Sequence, residues 1–157
     1  MMKKLLFLLI FFSAFSFAQM PNISTVWLNN SKPYEGTIGK EGEVLKLKIN
    51  TSDQDRKNDQ EYFISGYSLV DKVYAKFEGK IKITKYKNSG KKSTVFGEYD
   101  LSEENKGKHS GVFKGRFIYT FKWNKEKDQI ENQYIELIGD WVSYDKTMTF
   151  KTRLKNR

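Results

Sequence analysis

The sequence of 157 residues has no cysteine and a single histidine, His109. Without cysteine, the chain has no disulfide, no thiolate ligand for zinc, no cysteine nucleophile and no attachment point for a lipoprotein anchor. One histidine is too few for a metal centre built from several imidazoles. We therefore predict a protein with no metal and no cofactor.

Arginine is also scarce: it supplies only four of the 28 basic residues, against 19 acidic residues. Arginine is the side chain that most often reads the edges of bases. The lysines recur at alternate positions, such as Lys46 and Lys48, which is typical of the solvent face of a strand. We therefore expect no specific nucleic-acid partner, and the basic excess favours loose attraction to anionic surface polymers or lipid headgroups.

Long hydrophobic runs are absent except at the N-terminus, where residues 5–12 form an apolar stretch behind Lys3 and Lys4. Residues 16–18 read Ser-Phe-Ala, a small-x-small cleavage site, so we predict a signal peptide over residues 1–18 and an exported protein, periplasmic or extracellular. A buried N-terminal helix is the alternative. Removal of the two lysines lowers the formal charge from +9 to +7. Because the stretch is short for a bilayer and no second one follows, we expect no transmembrane segment.

After residue 19, apolar and polar residues alternate, which is the pattern of half-buried strands. For example, Leu45, Leu47 and Ile49 share one face. The alternation predicts eight strands, at 34–39, 43–50, 61–69, 73–84, 93–100, 110–123, 133–143 and 146–154. The longer polar connections are predicted to be mobile loops, at 51–60, 85–93, 101–109 and 124–132.

Each predicted strand has one apolar face, and this favours an all-β, antiparallel sheet. Short connections between consecutive strands favour an up-and-down β-barrel in a single domain over residues 19–157, because closure removes exposed strand edges. Glycines within the strands allow bending and close packing, at Gly36, Gly66, Gly79, Gly97, Gly115 and Gly139. A two-sheet β-sandwich is the alternative, since it uses the same alternation.

Several motifs resemble those of small exported proteins of Bacteroidota, a group largely without assigned function. The motifs lie at 34–40 (YEGTIGK), 64–67 (ISGY), 111–117 (GVFKGRF), 139–141 (GDW) and 146–150 (KTMTF). The resemblance spans nearly all of residues 34–154 and implies a compact barrel similar in shape to avidins and lipocalins. Asp140 stands where threonine is commoner in that group. The resemblance carries over no biotin-binding residues.

No arrangement of polar residues predicts catalysis or metal binding. His109 precedes Ser110, but neighbouring strand residues face opposite sides, and no Gly-x-Ser-x-Gly turn is present. The acidic loop 51–60 has Lys57 at a calcium-ligand position. The carboxylate pairs that a glycosidase would need are predicted to be solvated, Glu98 with Asp100 and Glu103 with Glu104. We therefore predict a protein that is not an enzyme, and a hydrolase is the weakest alternative.

Aromatic side chains make up 15% of the sequence, and many lie on predicted apolar faces. In an eight-stranded barrel, such side chains either fill the interior or surround one small ligand. Tyr and Trp add polar groups that a ligand can satisfy. The predicted ligand-binding residues are Tyr67, Phe117, Tyr119, Trp123 and Trp141, accompanied by Phe63, Phe77, Phe113 and Phe121.

The leading prediction is an exported, non-enzymatic protein that binds a small apolar or amphipathic ligand in an aromatic-lined interior. One alternative is an inhibitor or immunity-type protein that binds a secreted protein through its charged loops. Another is a structural barrel with a packed core and no ligand. An empty aromatic cavity open at one end favours the first, whereas a filled barrel with a rim patch favours the second.

Overall fold

The structure is a computed structural model that describes residues 20–156, so the predicted signal peptide lies outside the described residues. A one-turn helix, α1 (Ser24–Trp27), and a 3-10 turn (Asn29–Ser31) precede the strands. The strands are β1 (Tyr34–Ile38), β2 (Glu43–Gln54), β3 (Glu61–Val70), β4 (Val73–Asn88), β5 (Ser93–Glu103), β6 (Gly111–Asn124), β7 (Gln129–Ser143) and β8 (Thr149–Lys155).

All eight strands form one closed antiparallel barrel in sequence order. The ring is closed by β1 and β8. Their ladder begins with Glu35 paired to Lys155 and ends with Ile38 paired to Thr152. The predicted up-and-down barrel is therefore confirmed, and the sandwich alternative is wrong. Consecutive strands joined by short connections leave no strand edge unpaired in such a ring.

Four strands extend three or four residues further than the alternation predicts, so parts of the predicted loops are strand. Residues 51–54 continue β2, 85–88 continue β4, 101–103 continue β5 and 129–132 begin β7. These segments are polar, which hides the period-two signal. A register shift also interrupts the alternation of apolar and polar residues in three of the ladders, for example between Ile49 and Thr51.

The middle of the barrel is filled with side chains. Tyr99 of β5 lies level with Gly115 of β6 and Gly139 of β7, and its hydroxyl lies 2.7 Å from the position that a Cβ on Gly139 would take. Gly139 therefore makes room for the Tyr99 hydroxyl. Burial raises the pKa of Tyr99 to about 12. With the centre occupied, space for a ligand remains only towards the two ends.

The two ends of the barrel differ. We call one the plugged end, because residues 20–33 cover it; it also carries the turns 55–60, 89–92 and 125–128. We call the other the open end, which carries the connections 39–42, 71–72, 104–110 and 144–148.

The turn at 144–148 carries an acid-sensitive contact. Asp145 Oδ1 accepts hydrogen bonds from Ser143 Oγ at 2.7 Å and from the backbone N–H and Oγ1 of Thr147 at 3.0 and 2.7 Å. These donors lower the pKa of Asp145 from 3.8 to about 2. The ionised carboxylate therefore contributes its full stabilisation above pH 3.8, the pKa of this group in the unfolded chain. This contribution is lost as the pH falls through about 2, the pKa in the folded protein.

We expect the stability difference between the unaltered protein and Asp145→Asn to be largest above pH 3.8 and to vanish towards pH 2, as measured by urea unfolding across that range. Thr147→Val removes one donor and should weaken the pH dependence without abolishing it. A difference that stays constant over the range contradicts the assignment.

Candidate functional site

The plugged end is closed by Trp27, whose side chain is 1% exposed. Its ring makes edge-on contacts with Tyr62, Phe117 and Tyr119, with centroids 5.8, 5.0 and 6.1 Å away. The Tyr34 hydroxyl donates a hydrogen bond to the Trp27 carbonyl oxygen at 2.9 Å. Trp27 therefore joins α1 to the aromatic core.

Local sequence shapes the plug. Asn22 Oδ1 accepts from the Ser24 N–H at 2.9 Å and the Ser24 Oγ at 2.6 Å, which fixes the start of the helical turn. Residues 29–31 then adopt positive φ angles of 49°, 52° and 63°. Two of the three are asparagine, which tolerates this conformation well, so the chain reverses into β1.

Hydrogen bonds tie the plug to the hairpin of β2 and β3. The Met20 N–H donates to Asp59 Oδ2 at 2.6 Å, and the Ile23 N–H donates to the Tyr62 hydroxyl at 3.1 Å. Gln54 Nε2 donates to the Asp59 carbonyl oxygen at 2.8 Å and so braces the same turn. The plug is therefore part of the folded barrel and forms one wall of the space beside it.

That space is a cavity of about 460 Å³ at the plugged end. Its walls are largely apolar and include Ile23, Ile83, Val95, Tyr119, Phe121 and Ile130. The Tyr119 hydroxyl donates to Gln133 Oε1 at 2.9 Å, and the Tyr86 hydroxyl lies 3.0 Å from Ser93 Oγ. Burial raises the pKa of Tyr119 to about 12, so its hydroxyl stays neutral. The cavity is thus suited to an apolar group.

The hairpin of β4 and β5, which contributes to the wall of this cavity, is rich in lysine. Residues 85–92 contain four lysines and no acidic residue. Tyr86 lines the cavity, whereas Lys85 and Lys87, on either side of it in the strand, point to the outer face. Lys91 and Lys92 lie in the turn at the plugged end. The neighbouring β6–β7 hairpin adds further lysines together with acidic residues. The plugged end therefore combines an apolar space with a lysine-containing turn.

The open end has a smaller cavity of about 230 Å³ around a buried carboxylate. Glu103, at the end of β5, is 7% exposed. Its Oε1 accepts a hydrogen bond from Ser68 Oγ at 2.5 Å, and its Oε2 accepts from the Gly111 N–H at 3.0 Å and from Trp141 Nε1 at 2.9 Å. These donors, from three other strands, hold the carboxylate in one position.

The prediction that Glu103 is solvated is wrong. The inward positions of β5 alternate through Tyr99, Leu101 and Glu103, so the phase of the strand carries Glu103 into the barrel. Glu104, one residue later, is exposed and pairs with Lys106 at 2.8 Å. His109 lines the cavity, whereas Ser110 is buried and accepts from the Lys106 N–H.

Three predicted ligand-binding residues lie inside the barrel, but at different places. Phe117 lies beneath Trp27, Tyr119 lines the plugged-end cavity, and Trp141 lines the open-end cavity. The structure thus divides one predicted pocket into two.

Two predicted ligand-binding residues line neither of these cavities, and the predicted inward orientation of one of them, Tyr67, is wrong. Tyr67 is on the outer face and stacks on Tyr74 with a centroid separation of 4.9 Å, because even-numbered residues of β3 point inward. Phe63 is on the outer face for the same reason. Trp123 keeps the phase of Tyr119 and pairs with Ile130, but it lies near the end of β6 and is 47% exposed.

Comparison of the chain with protein-family models, with curated proteins and with solved structures finds no match. The resemblance to exported Bacteroidota barrels stays a prediction. Among residues 20–156, no helix is long and apolar enough to cross a membrane. The same residues contain no group of three or more His, Asp or Glu side chains that could hold a metal ion.

Proposed function

We propose that this protein is an exported, non-enzymatic binding protein whose ligand is a small amphipathic molecule with an apolar body and an anionic group. The apolar body occupies the plugged-end cavity, and the anionic group lies near Lys91 and Lys92, in the turn between β4 and β5. The observation that carries the proposal is the cavity of about 460 Å³ beside the plug.

The walls of the cavity favour an apolar body. Its volume falls within the range of about 300–1,000 Å³ that is usual for small-molecule sites. Because the Tyr86 and Tyr119 hydroxyls already contact Ser93 and Gln133, the walls gain little from a polar ligand atom. Burial of apolar ligand surface contributes roughly 25 cal/mol per Å².

The charge of the β4–β5 hairpin favours an anionic group. No acidic residue interrupts the lysines of residues 85–92, so this hairpin contributes positive charge at its edge of the barrel. Lysine side chains can also lie along apolar surface with their ammonium groups in water. An amphipath with a carboxylate or sulfate would therefore place its two parts against matching surfaces.

We expect dodecanoate to bind saturably in isothermal titration calorimetry, and dodecyltrimethylammonium, its cationic counterpart, to bind at least about tenfold more weakly because the lysines repel it. Ile130→Glu places a charge at the cavity wall and should weaken dodecanoate binding about tenfold or more. Ile138→Glu is the matched control on the same strand, because Ile138 is 42% exposed on the outer face. This variant should bind dodecanoate as the unaltered protein does.

The lysine contribution is tested by the double variant Lys91→Gln, Lys92→Gln. Dodecanoate should bind it about threefold more weakly at low salt, and the difference should shrink as salt screens the charges. Absence of saturable dodecanoate binding, or equal binding by the Ile130→Glu variant, contradicts the proposed function.

A further inference from the structure

Two carboxylates are buried in the described part of the chain, and they differ in their partners. Glu136 pairs with the Arg153 guanidinium. Glu103 makes no ion pair with any described residue and accepts hydrogen bonds only from neutral groups, those of Ser68, Gly111 and Trp141. Because a buried carboxylate is stabilised by a cationic partner, a ligand in the cavity beside Glu103 could supply the partner that the protein does not.

The hydrogen bonds of Glu103 leave acceptor capacity on one oxygen. A carboxylate has about four lone-pair positions, two on each oxygen. Two donors, Gly111 N and Trp141 Nε1, occupy Oε2, whereas Oε1 accepts from Ser68 alone. One further donor can therefore bind at Oε1.

The cavity around Glu103 is acidic and aromatic. Glu43 and Asp71 also line it, His109 is the one basic side chain among the described lining residues, and none of those residues is Lys or Arg. Trp141 and Phe150 stack in its wall, with centroids 5.8 Å apart and ring planes at 11°. Carboxylates attract a cation, and aromatic faces add cation–π attraction.

We infer that the open end of the barrel is a second binding site that takes a small organic ammonium ion. An N–H of the ammonium group donates to Glu103 Oε1, and the alkyl part of the ion packs against the aromatic walls. The volume of about 230 Å³ holds several waters or one small organic molecule, since a water occupies about 30 Å³ of liquid. This site lies at the opposite end of the barrel from the amphipath cavity and does not depend on it.

The opposing view is that Glu103 only links strands, because it joins β5 to β3, β6 and β7 through its hydrogen bonds. Such a role requires no ligand, and it gives the cavity no preference for charge. Charge preference among molecules of equal size therefore separates the two roles.

Three probes of nearly equal size test the preference: tert-butylammonium, tert-butanol and pivalate. Binding is followed by the indole N–H signals of the tryptophans in ¹⁵N–¹H NMR spectra, with the Trp141 signal assigned by its loss in Trp141→Phe. We expect tert-butylammonium to shift the Trp141 signal saturably and to leave those of Trp27 and Trp123 in place. Tert-butanol should bind at least about tenfold more weakly, and pivalate should not bind saturably.

Glu103→Gln keeps the side-chain shape and removes the charge, so tert-butylammonium should bind it at least about tenfold more weakly. Glu104→Gln is the matched control, because Glu104 is exposed and paired with Lys106. This variant should bind tert-butylammonium as tightly as the unaltered protein does. If Glu103→Gln does not fold, Asp71→Asn serves instead, since asparagine accepts the φ of 51° at this turn. We expect it to bind tert-butylammonium about threefold more weakly.

The inference is overturned if tert-butylammonium gives no saturable shift, if tert-butanol binds as tightly, or if Glu103→Gln binds like the unaltered protein. Failure of dodecanoate to bind leaves this result unaffected, because the two probes address opposite ends of the barrel.

Discussion

Replacing Gly36 with alanine should destabilise the barrel by at least about 3 kcal/mol, at or beyond the upper end of what overpacking costs. A Cβ at this position would lie 1.7 Å from the carbonyl oxygen of Arg153 and 2.9 Å from the Cα of Leu154. Both atoms belong to the backbone of β8, so no side-chain rotation relieves the clash. Since Gly36 lies in β1, the clash falls on the pairing that closes the ring. Chemical unfolding followed by circular dichroism measures the loss.

Gly42→Ala is the control for the change from glycine to alanine itself. Gly42 has a φ of 70°, and nothing lies within 4 Å of the Cβ position. Its substitution should therefore cost only the strain of a left-handed alanine, about 1 kcal/mol. Faster hydrogen exchange in β1 and β8 should appear with Gly36→Ala alone. Equal stability losses in the two variants would refute the steric account.

The barrel could be predicted from the sequence because its core strands have one solvent-exposed face and one buried face. In β2, for example, Leu45, Leu47 and Ile49 are buried, as the alternation predicts. Short connections then restrict the order of strands to that of neighbours along the chain. The strand ends were predicted less well, because a polar hairpin such as the one around residues 85–92 pairs through its backbone and buries few side chains.

The candidate sites were only partly predictable, for three physical reasons. Trp123 lies near the end of β6, where the side chains are no longer buried, and alternation alone does not show where the core ends. Glu103 could have been found by extending the phase of Tyr99 and Leu101, but a charged residue at the end of a strand is usually solvated. The plug is too short to show a helical period, although Trp27 and its apolar neighbours were a usable signal.

Phe117 and Tyr119 were predicted to line one pocket with Trp141, and the reason they do not is the plug. Trp27 enters the barrel beside the first two rings and fills the space that an empty barrel of this size would offer. A large apolar cavity remains beside the plug and a small acidic cavity at the open end. The two ligands proposed above, which have opposite charges, would each bind in one of these cavities.

Removing the Trp27 side chain tests how far the barrel depends on this plug. Trp27→Ala should destabilise the protein by about 3–5 kcal/mol, because a fully buried indole is lost and its contacts with Tyr62, Phe117 and Tyr119 are lost with it. Thermal and urea unfolding measure the effect. The near-ultraviolet circular dichroism should also weaken, since the rings around Trp27 lose their fixed packing.

Trp123→Ala is the matched control, because it removes an indole that is 47% exposed near the end of β6. It should change stability by no more than about 0.5 kcal/mol. The two variants should also differ in ligand binding. Because the plug supplies Ile23 to the large cavity, Trp27→Ala should weaken dodecanoate binding. Tert-butylammonium binding at the opposite end should persist in the folded fraction. If Trp27→Ala is as stable as Trp123→Ala, residues 20–33 are an appendage of the barrel and not part of its core.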